Sequence, residues 1–280
     1  MRRLLALAVA LLGLAATAEA GVLDKVKQTG QLTLGYRNDA MPFSYENAKG
    51  EPAGYSVDLC LVVAEQVRQT LKLDKLDVRY QIVDAKTRFD QLKAGKVDLL
   101  CGADTVTLAR RQVVDFSLMT FASGSTLLYR VDGPQTFKDL KGQKIGARAG
   151  TITVDTLRKA LADQNFDAQL VPYDDYEAGV RDLAAGKLAA FFGDGGILLF
   201  QWLQSPDKAK LKLSERSLSN EPYALVLPRG DDDFRLVVDT ALAGVYRSKA
   251  IEKIFTSAFG AQAKPADIVR AVYLLNALEP

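Results

Sequence analysis

Two stretches of the chain repeat one pattern, LKAGKVDLLCG at residues 92–102 and LAAGKLAAFFG at residues 183–193. Each stretch indicates the end of a helix, a glycine that closes it, a lysine, a buried strand and a second glycine. One such match could arise by chance, since glycine after a helix is common. The elements around both stretches follow the same order, and we therefore predict two related lobes.

The elements ahead of each stretch alternate between strand and helix. In the first half the pattern predicts strands at 32–36, 78–83 and 97–101 and helices at 57–71 and 89–94. In the second half it predicts strands at 145–148, 170–171 and 188–192 and helices at 154–162 and 176–185. This order predicts an α/β fold in which each lobe is a mainly parallel sheet with flanking helices.

The segments that follow suggest how the lobes are joined. An extended segment at 222–228 precedes helical patterns at 234–248 and 250–259. If the chain returns here to the first lobe, two crossings near 125–131 and 221–227 form a hinge beside a cleft. We therefore expect a first lobe of residues 21–129 plus 226–280 and a second lobe of residues 130–225.

Composition excludes several classes of protein. Of the 280 residues, 48% are hydrophobic and 25% charged, which is too apolar for a disordered chain. The formal net charge of +2 gives no strong attraction to nucleic acid, and no such partner is expected. The chain has no histidine, which removes Ser-His-Asp and Cys-His catalysis and the commonest zinc sites. No phosphate-loop motif is present, and we expect neither a metal nor a cofactor.

The first twenty residues have the pattern of a secretory signal peptide. Arg2 and Arg3 precede a short apolar run at 4–14, and Ala18-Glu19-Ala20 fits a small-x-small cleavage site. The alternative is a core or transmembrane helix, but the run is too short to span a bilayer. We expect export and cleavage after Ala20, and the loss of Arg2, Arg3 and Glu19 takes the net charge from +2 to +1.

Export affects the interpretation of the two cysteines, Cys60 in a helical pattern and Cys101 at the end of a strand. Two buried free thiols are one possibility. An oxidising compartment favours a disulfide between them, which would stabilise the fold by roughly 4 kcal/mol.

The predicted strand ends carry an unusual set of polar residues. Arg37, Arg110 and Arg148 each follow a strand or lie in the loop after it. A guanidinium binds a carboxylate through two parallel hydrogen bonds, so three arginines at one cleft favour an anionic ligand. Thr151 precedes a predicted helix, and the free amide groups at the start of that helix could hold an anion. A helix cap that binds no ligand would have the same sequence pattern. Asp194, between glycines, could cap the next helix or hold an ammonium group opposite Arg110.

At these residues the sequence resembles periplasmic amino-acid-binding proteins of ABC transporters, the solute-binding proteins of family 3. The resemblance covers the whole mature chain. Its motifs are PFSY at 42–45, GYSVDL at 54–59, GKVDL at 95–99, the segment 101–110, DFS at 115–117, LKG at 140–142, AGT at 149–151 and GD at 193–194.

The resemblance implies a two-lobed periplasmic-binding-protein fold of type 2 and a role for individual residues. Arg110 would bind the ligand α-carboxylate with Thr151, and Asp194 would hold the α-ammonium. Thr105 or Asp104 would supply a polar contact from the first lobe.

Two arginines extend the resemblance to the glutamate/aspartate-binding branch. Arg37 lies where family members read the ligand side chain, and Arg88 and the length of the loop before Arg110 also resemble that branch. Asp104 replaces the usual serine or threonine. It could bind the ammonium instead and offset the preference for an acidic ligand.

The predicted function is capture of an amino acid, preferably glutamate or aspartate, and its delivery to a transporter permease. The chain would be a monomer without catalytic residues. The alternative is a cyclohexadienyl or arogenate dehydratase on the same scaffold. That enzyme needs a general acid at the cleft, and GGILLF at 195–200 offers none. A receptor sensor domain is not favoured, because no signalling segment is evident.

Overall fold

The structure, a computed structural model, describes residues 21–134 and 136–280. The predicted signal peptide lies outside the described residues. The elements in chain order are α1 (Val22–Thr29), β1 (Gln31–Tyr36), β2 (Asp39–Ala40), β3 (Ser44–Glu46), β4 (Pro52–Ala53), α2 (Tyr55–Thr70), β5 (Asp77–Ile82), α3 (Arg88–Lys93), β6 (Leu99–Leu100), β7 (Asp115–Ser123), β8 (Ser125–Arg130), β9 (Lys144–Arg148), α4 (Ile152–Asp163), β10 (Gln169–Tyr173), α5 (Tyr176–Ala184), β11 (Ala190–Asp194), α6 (Gly195–Gln204), β12 (Leu211–Leu213), β13 (Glu221–Leu227), α7 (Asp232–Arg247), α8 (Ala250–Phe259) and α9 (Asp267–Leu275).

Two five-stranded sheets form the two predicted lobes. Their strand orders are β5-β1-β6-β13-β7 and β10-β9-β11-β8-β12. In the first sheet only β13 runs against the other strands, and in the second only β8 does. A short sheet of β2, β3 and β4 adjoins the first lobe. This is the two-lobed α/β fold with mainly parallel sheets expected from the sequence.

Apolar spacing explains how the helices cover the sheets. Along α2, the residues Val57, Cys60, Ala64 and Val67 recur at helical spacing and are buried in the first core. β1 buries Leu32 and Leu34 beneath them. In the second lobe, Val180 and Leu183 of α5 are buried with Phe191 of β11 in the same way. In both sheets, the carboxyl ends of the parallel strands lie toward the cleft between the lobes.

The chain passes between the sheets earlier than the sequence suggested. It crosses first at Gly124, between β7 and β8, and returns between β12 and β13. The segments 125–131 and 221–227 were expected to be the crossings. Instead β8 pairs within the second sheet and β13 within the first, because their backbone groups are satisfied by antiparallel neighbours.

Gly124 is where the two crossings touch. A Cβ placed there would collide with Ser217 Oγ and with the carbonyl oxygen of Ser219. The crossings therefore run side by side, as a hinge requires.

The disulfide prediction is confirmed. Cys60 on α2 is bonded to Cys101, which follows β6, and the two Cα atoms are 6.1 Å apart. Both residues are fully buried, so the bond fastens the helix to the centre of the first sheet.

Several elements escaped the sequence analysis. The hinge strands β7 and β8 and the helices α1, α6 and α9 were not predicted. In α6 the apolar residues are consecutive at 197–200 and 202–203, so no helical stripe is visible. Within residues 21–134 and 136–280, no helix is both long and apolar enough to cross a membrane.

Candidate functional site

The predicted site residues gather in a cleft between the two lobes. Six of them line it: Arg37, Arg88, Thr105, Arg110, Thr151 and Asp194. The cleft also includes seven further residues: Ala103, Ile152, Thr153, Tyr176, Ile197, Glu221 and Tyr223. Asp104 and Arg148, the other two predicted residues, are buried nearby but do not line the cleft.

Element ends place these side chains. Arg37 directly follows β1, Asp194 is the last residue of β11 and Thr151 precedes the first turn of α4. Arg88 begins α3, in the loop region after β5. Parallel strands bring their carboxyl ends to one edge of each sheet, and the two edges face each other across the cleft.

Three arginines supply the cationic part of the cleft, and two of them already have a carboxylate. Arg37 Nε donates to Asp39 Oδ1 at 2.8 Å, and Arg88 Nε donates to Asp104 Oδ1 at 2.6 Å. Burial lowers the pKa of Arg37, but the charge of Asp39, its hydrogen bond and the charges of Tyr176 and Asp104 together leave the pKa above its ordinary value. Both guanidiniums are 4% exposed, and their carboxylate partners Asp39 and Asp104 are 15% and 2% exposed, so each ion pair fixes the direction of its guanidinium.

Arg110 differs from the other two. Its Nη1 donates to the carbonyl oxygen of Thr105 at 2.8 Å, and no acidic side chain among the described residues forms an ion pair with it. Burial, followed by the positive charge of Arg88, lowers the pKa of Arg110 to about 10. The guanidinium therefore remains protonated at neutral pH and lacks a counter-ion of its own.

The acidic part of the cleft lies beside the hinge. Asp194 caps α6 by accepting the amide N–H of Ile197 at 2.9 Å, and its other oxygen accepts the hydroxyls of Ser123 and Tyr223. Burial raises the pKa of Asp194 to about 6, although these hydrogen bonds act in the opposite direction. The charge of Glu221 adds to the increase.

Glu221 is a cleft residue that the sequence analysis missed. It accepts hydroxyls from Ser125, from Ser219 at 2.9 Å and from Thr105 at 3.1 Å. It begins the hinge strand β13 and is 4% exposed. The sequence signal that could have identified Glu221 is its position as a charged residue directly before the apolar strand residues of β13.

Two aromatic residues were also missed. Tyr223 follows Glu221 on β13, and Tyr176 begins α5 with its ring 6.0 Å from the Arg37 guanidinium. Burial raises the pKa of both hydroxyls, so both remain neutral donors. Tyr176 was recognised in the sequence only as part of a helix.

Asp104 and Arg148 face protein groups instead of the cleft. Asp104 pairs with Arg88, as above. Arg148 donates to Asp39 Oδ2 at 2.8 Å and to Asp84 Oδ2 at 2.9 Å, both in the other lobe. The described residues also contain no group of three His, Cys, Asp or Glu side chains arranged to hold a metal ion.

Comparison with known proteins places the chain in a family. The model of the bacterial extracellular solute-binding proteins, family 3, matches residues 32–261. The L-glutamate/L-aspartate-binding protein of Pseudomonas aeruginosa is 34% identical over 85% of this chain and 80% of its own length. The glutamate/aspartate import solute-binding protein of Salmonella typhimurium is 28% identical over 87% of this chain and 81% of its own.

A solved structure shares the fold. The substrate-binding protein of an ABC uptake transporter from Streptococcus pneumoniae, with bound histidine, has a TM-score of 0.76 at 20% identity. The alignment covers 84% of this chain and 95% of that one. With the match over residues 32–261 and the two-lobed structure, this chain belongs to the bacterial extracellular solute-binding proteins of family 3.

Proposed function

We propose that this protein captures a free acidic amino acid, glutamate or aspartate, between its two lobes. The observation that carries the proposal is the half-buried Arg110 guanidinium, which forms no ion pair with an acidic side chain among the described residues while the carboxylates Asp194 and Glu221 line the same cleft. A cation and an acidic pair in one enclosed site suit the two charges of an α-amino acid. The names of the two relatives above support the acidic class of ligand.

Each cleft residue receives a role in this proposal. Arg110 and Thr151 bind the α-carboxylate, and Asp194 accepts the α-ammonium. Arg37 and Arg88 bind the side-chain carboxylate, and Thr105 adds a polar contact from the first lobe.

Asp104 was expected to contact the ligand. In this proposal it acts through Arg88, because its Oδ1 is occupied by the Arg88 Nε and its side chain does not line the cleft. The negative charge of Asp104 is thereby neutralised, which removes the argument that it opposes an acidic ligand.

Titration of the refolded protein tests the ligand. The mature chain is unfolded, dialysed and refolded with its disulfide intact, and then titrated calorimetrically with glutamate, aspartate, glutamine, arginine and leucine. Tight one-to-one binding of an acidic amino acid is expected. Tight binding of a neutral or basic one would overturn the acidic preference. No binding at all would overturn the proposal and direct attention to dehydratase activity on cyclohexadienyl acids.

We further infer that the protein is exported to the periplasm and delivers its ligand to an ABC transporter permease as a monomer. The family description and the signal-peptide pattern support export. Mass spectrometry of the exported protein should give an N-terminus at Gly21. Loss of the protein from its source cell should lower uptake of the ligand that the calorimetry identifies, and unchanged uptake would contradict the delivery role.

A further inference from the structure

Arg148 belongs to one lobe and pairs with carboxylates of the other. It is the last residue of β9 in the second sheet, whereas Asp39 and Asp84 lie in the first lobe, after β1 and β5. Its Nε is 2.8 Å from Asp39 Oδ2 and its Nη2 is 2.9 Å from Asp84 Oδ2. The Arg148 side chain is 3% exposed and that of Asp39 is 15% exposed, so the contact between these two is shielded from water.

Asp39 is held in place before the lobes meet. Its other oxygen accepts Arg37 Nε, and both residues follow β1 in the same lobe. Burial raises the pKa of Asp39, but Arg37 and then Arg148 outweigh it, so that the pKa lies below its usual value. Asp39 is thus an oriented, ionised acceptor whose second oxygen is reached from the opposite lobe.

Separation of the lobes must break both contacts of Arg148, since its partners move with the other sheet. The hydrogen bond from Arg148 Nη1 to the carbonyl oxygen of Ala149, 2.9 Å, remains within its own lobe. Asp84 is 46% exposed, so pairing with Arg148 removes little of its hydration. The cost of forming this pair is therefore smaller than for two fully buried charges.

We infer that Arg148 is a closure residue, which determines ligand affinity by stabilising the closed arrangement of the lobes and does not touch the ligand. Contacts made only in the closed arrangement raise its population before any ligand binds. The apparent dissociation constant is inversely proportional to the population that can bind, so affinity follows the strength of the Arg148 contacts. The effect of Arg148 on ligand affinity rests on the proposed function, whereas its effect on the population of the closed arrangement does not.

The chain offers a matched control. Lys86 Nζ and Asp174 Oδ1, 2.7 Å apart, also connect the two lobes, but their side chains are 51% and 83% exposed. An ion pair in water contributes little, because the hydrated charges gain almost nothing by meeting. Asp174→Asn therefore removes an ion pair that also crosses the cleft but is exposed to water.

Single-molecule fluorescence resonance energy transfer between two dyes measures the closed population directly. Dyes are attached to Lys49→Cys in the first lobe and Glu177→Cys in the second, both at exposed positions. In the ligand-free protein, Arg148→Gln should lower the closed fraction about tenfold, and Asp174→Asn should leave it unchanged. An equal closed fraction in the parent protein and in Arg148→Gln would overturn the inference.

A second variant approaches the contact from its exposed partner. Asp84→Asn keeps the shape of the side chain at a half-exposed position, so folding is preserved even if Arg148→Gln does not fold. It should lower the closed fraction, and Arg148→Gln should then have a smaller effect in this background than alone. Full additivity of the two changes would show that Arg148 and Asp84 do not act together and would overturn the inference.

Calorimetry with aspartate and glutamate distinguishes closure from direct binding. The affinity of Arg148→Gln should fall by the same factor as its closed fraction. A loss of affinity with an unchanged closed fraction would mean that Arg148 contacts the ligand, which contradicts the inference. If the parent protein binds neither amino acid, the proposed function fails, while the fluorescence measurement still decides the role of Arg148.

Discussion

At the scale of single residues, the charges of the cleft differ in how they are balanced. Arg37 and Arg88 each have a buried carboxylate partner, whereas Arg110 has only a carbonyl oxygen. A buried cation without a counter-ion is costly unless something supplies one. This difference makes Arg110 the residue on which ligand affinity should depend most.

Replacement of Arg110 by alanine is expected to weaken binding by about 2–5 kcal/mol, roughly 30-fold or more, since the ligand carboxylate loses a charged partner in a buried site. Calorimetric titration measures the change. The neighbouring Arg111 serves as the control, because its guanidinium lies over the Phe116 ring and does not line the cleft. Equal affinities of Arg110→Ala and Arg111→Ala would contradict the assignment.

The raised pKa of Asp194, about 6, predicts a pH dependence of binding. A ligand ammonium requires the ionised carboxylate of Asp194. Below a pH of about 6 this buried carboxyl is mostly protonated. The affinity for aspartate should therefore fall about tenfold between pH 7 and pH 5, over which the ligand side chain remains ionised. Calorimetry at both pH values tests this. Asp194→Asn should bind weakly with no such slope, and a constant affinity of the parent protein would count against the role of Asp194.

The same pKa has a consequence for ligand-free stability. A carboxyl with a pKa near 6 in the folded protein and 3.8 as its ordinary value keeps its proton longer when folded. Between these values the folded protein binds more protons than the unfolded chain, so this group's contribution to stability decreases as the pH rises. In the proposed function, a bound ammonium would offset that loss and so couple folding to ligand capture.

At the scale of elements, the disulfide joins α2 to the strand β6 across the first core. The bond closes a loop with a sequence separation of 41, and both cysteines are 0% exposed. In the unfolded chain, such a crosslink removes many conformations. The bond thus supports the lobe that carries Arg37, Arg88 and Arg110.

Removal of this bond by the double substitution Cys60→Ser and Cys101→Ser is expected to lower the free energy of unfolding by roughly 4 kcal/mol. Urea unfolding measures the change. A reducing agent should destabilise the parent protein to a similar degree and leave the double variant unaffected. If the reductant has no effect on the parent protein, the two cysteines are not bonded in solution.

At the scale of the whole molecule, the proposed function depends on how closely the lobes approach. Gly150 of the second lobe meets the first lobe backbone, where an added Cβ would lie 2.8 Å from the carbonyl carbon of Ala85 and from the amide nitrogen of Lys86. Its carbonyl oxygen also accepts Arg88 Nη1 at 3.2 Å. A side chain at this position would hold the lobes apart.

Gly150→Ala is therefore expected to lower ligand affinity about tenfold or more by obstructing closure. Gly142→Ala is the matched control, since Gly142 has φ +73° against +74° for Gly150 but no atom within 4 Å of an added Cβ. Both variants should lose about 1 kcal/mol of stability through backbone strain, and only Gly150→Ala should bind weakly. Calorimetry and urea unfolding compare them, and equal affinities would contradict the proposed closure.

The sequence by itself determined the class of fold, the repeat of strand and helix, and six of the thirteen residues that line the cleft. The spacing of apolar residues and the composition of a segment are local properties, so β1, α2 and α8 could be predicted directly from their own residues. Arg37, Arg110 and Asp194 were found because strand ends carry functional groups in α/β folds. The cysteine pair was deduced from export, and the structure contains the bond.

Only the tertiary structure decided which charges face the cleft and which face each other. Asp104 and Arg148 have the same residue types and local settings as the other site residues, yet Asp104 meets Arg88 and Arg148 meets Asp39 and Asp84. Those pairings join residues far apart in the chain, and Glu221 enters the site only because β13 returns to the first sheet. Charge balance in a buried site depends on distances across the fold, which local sequence patterns do not contain.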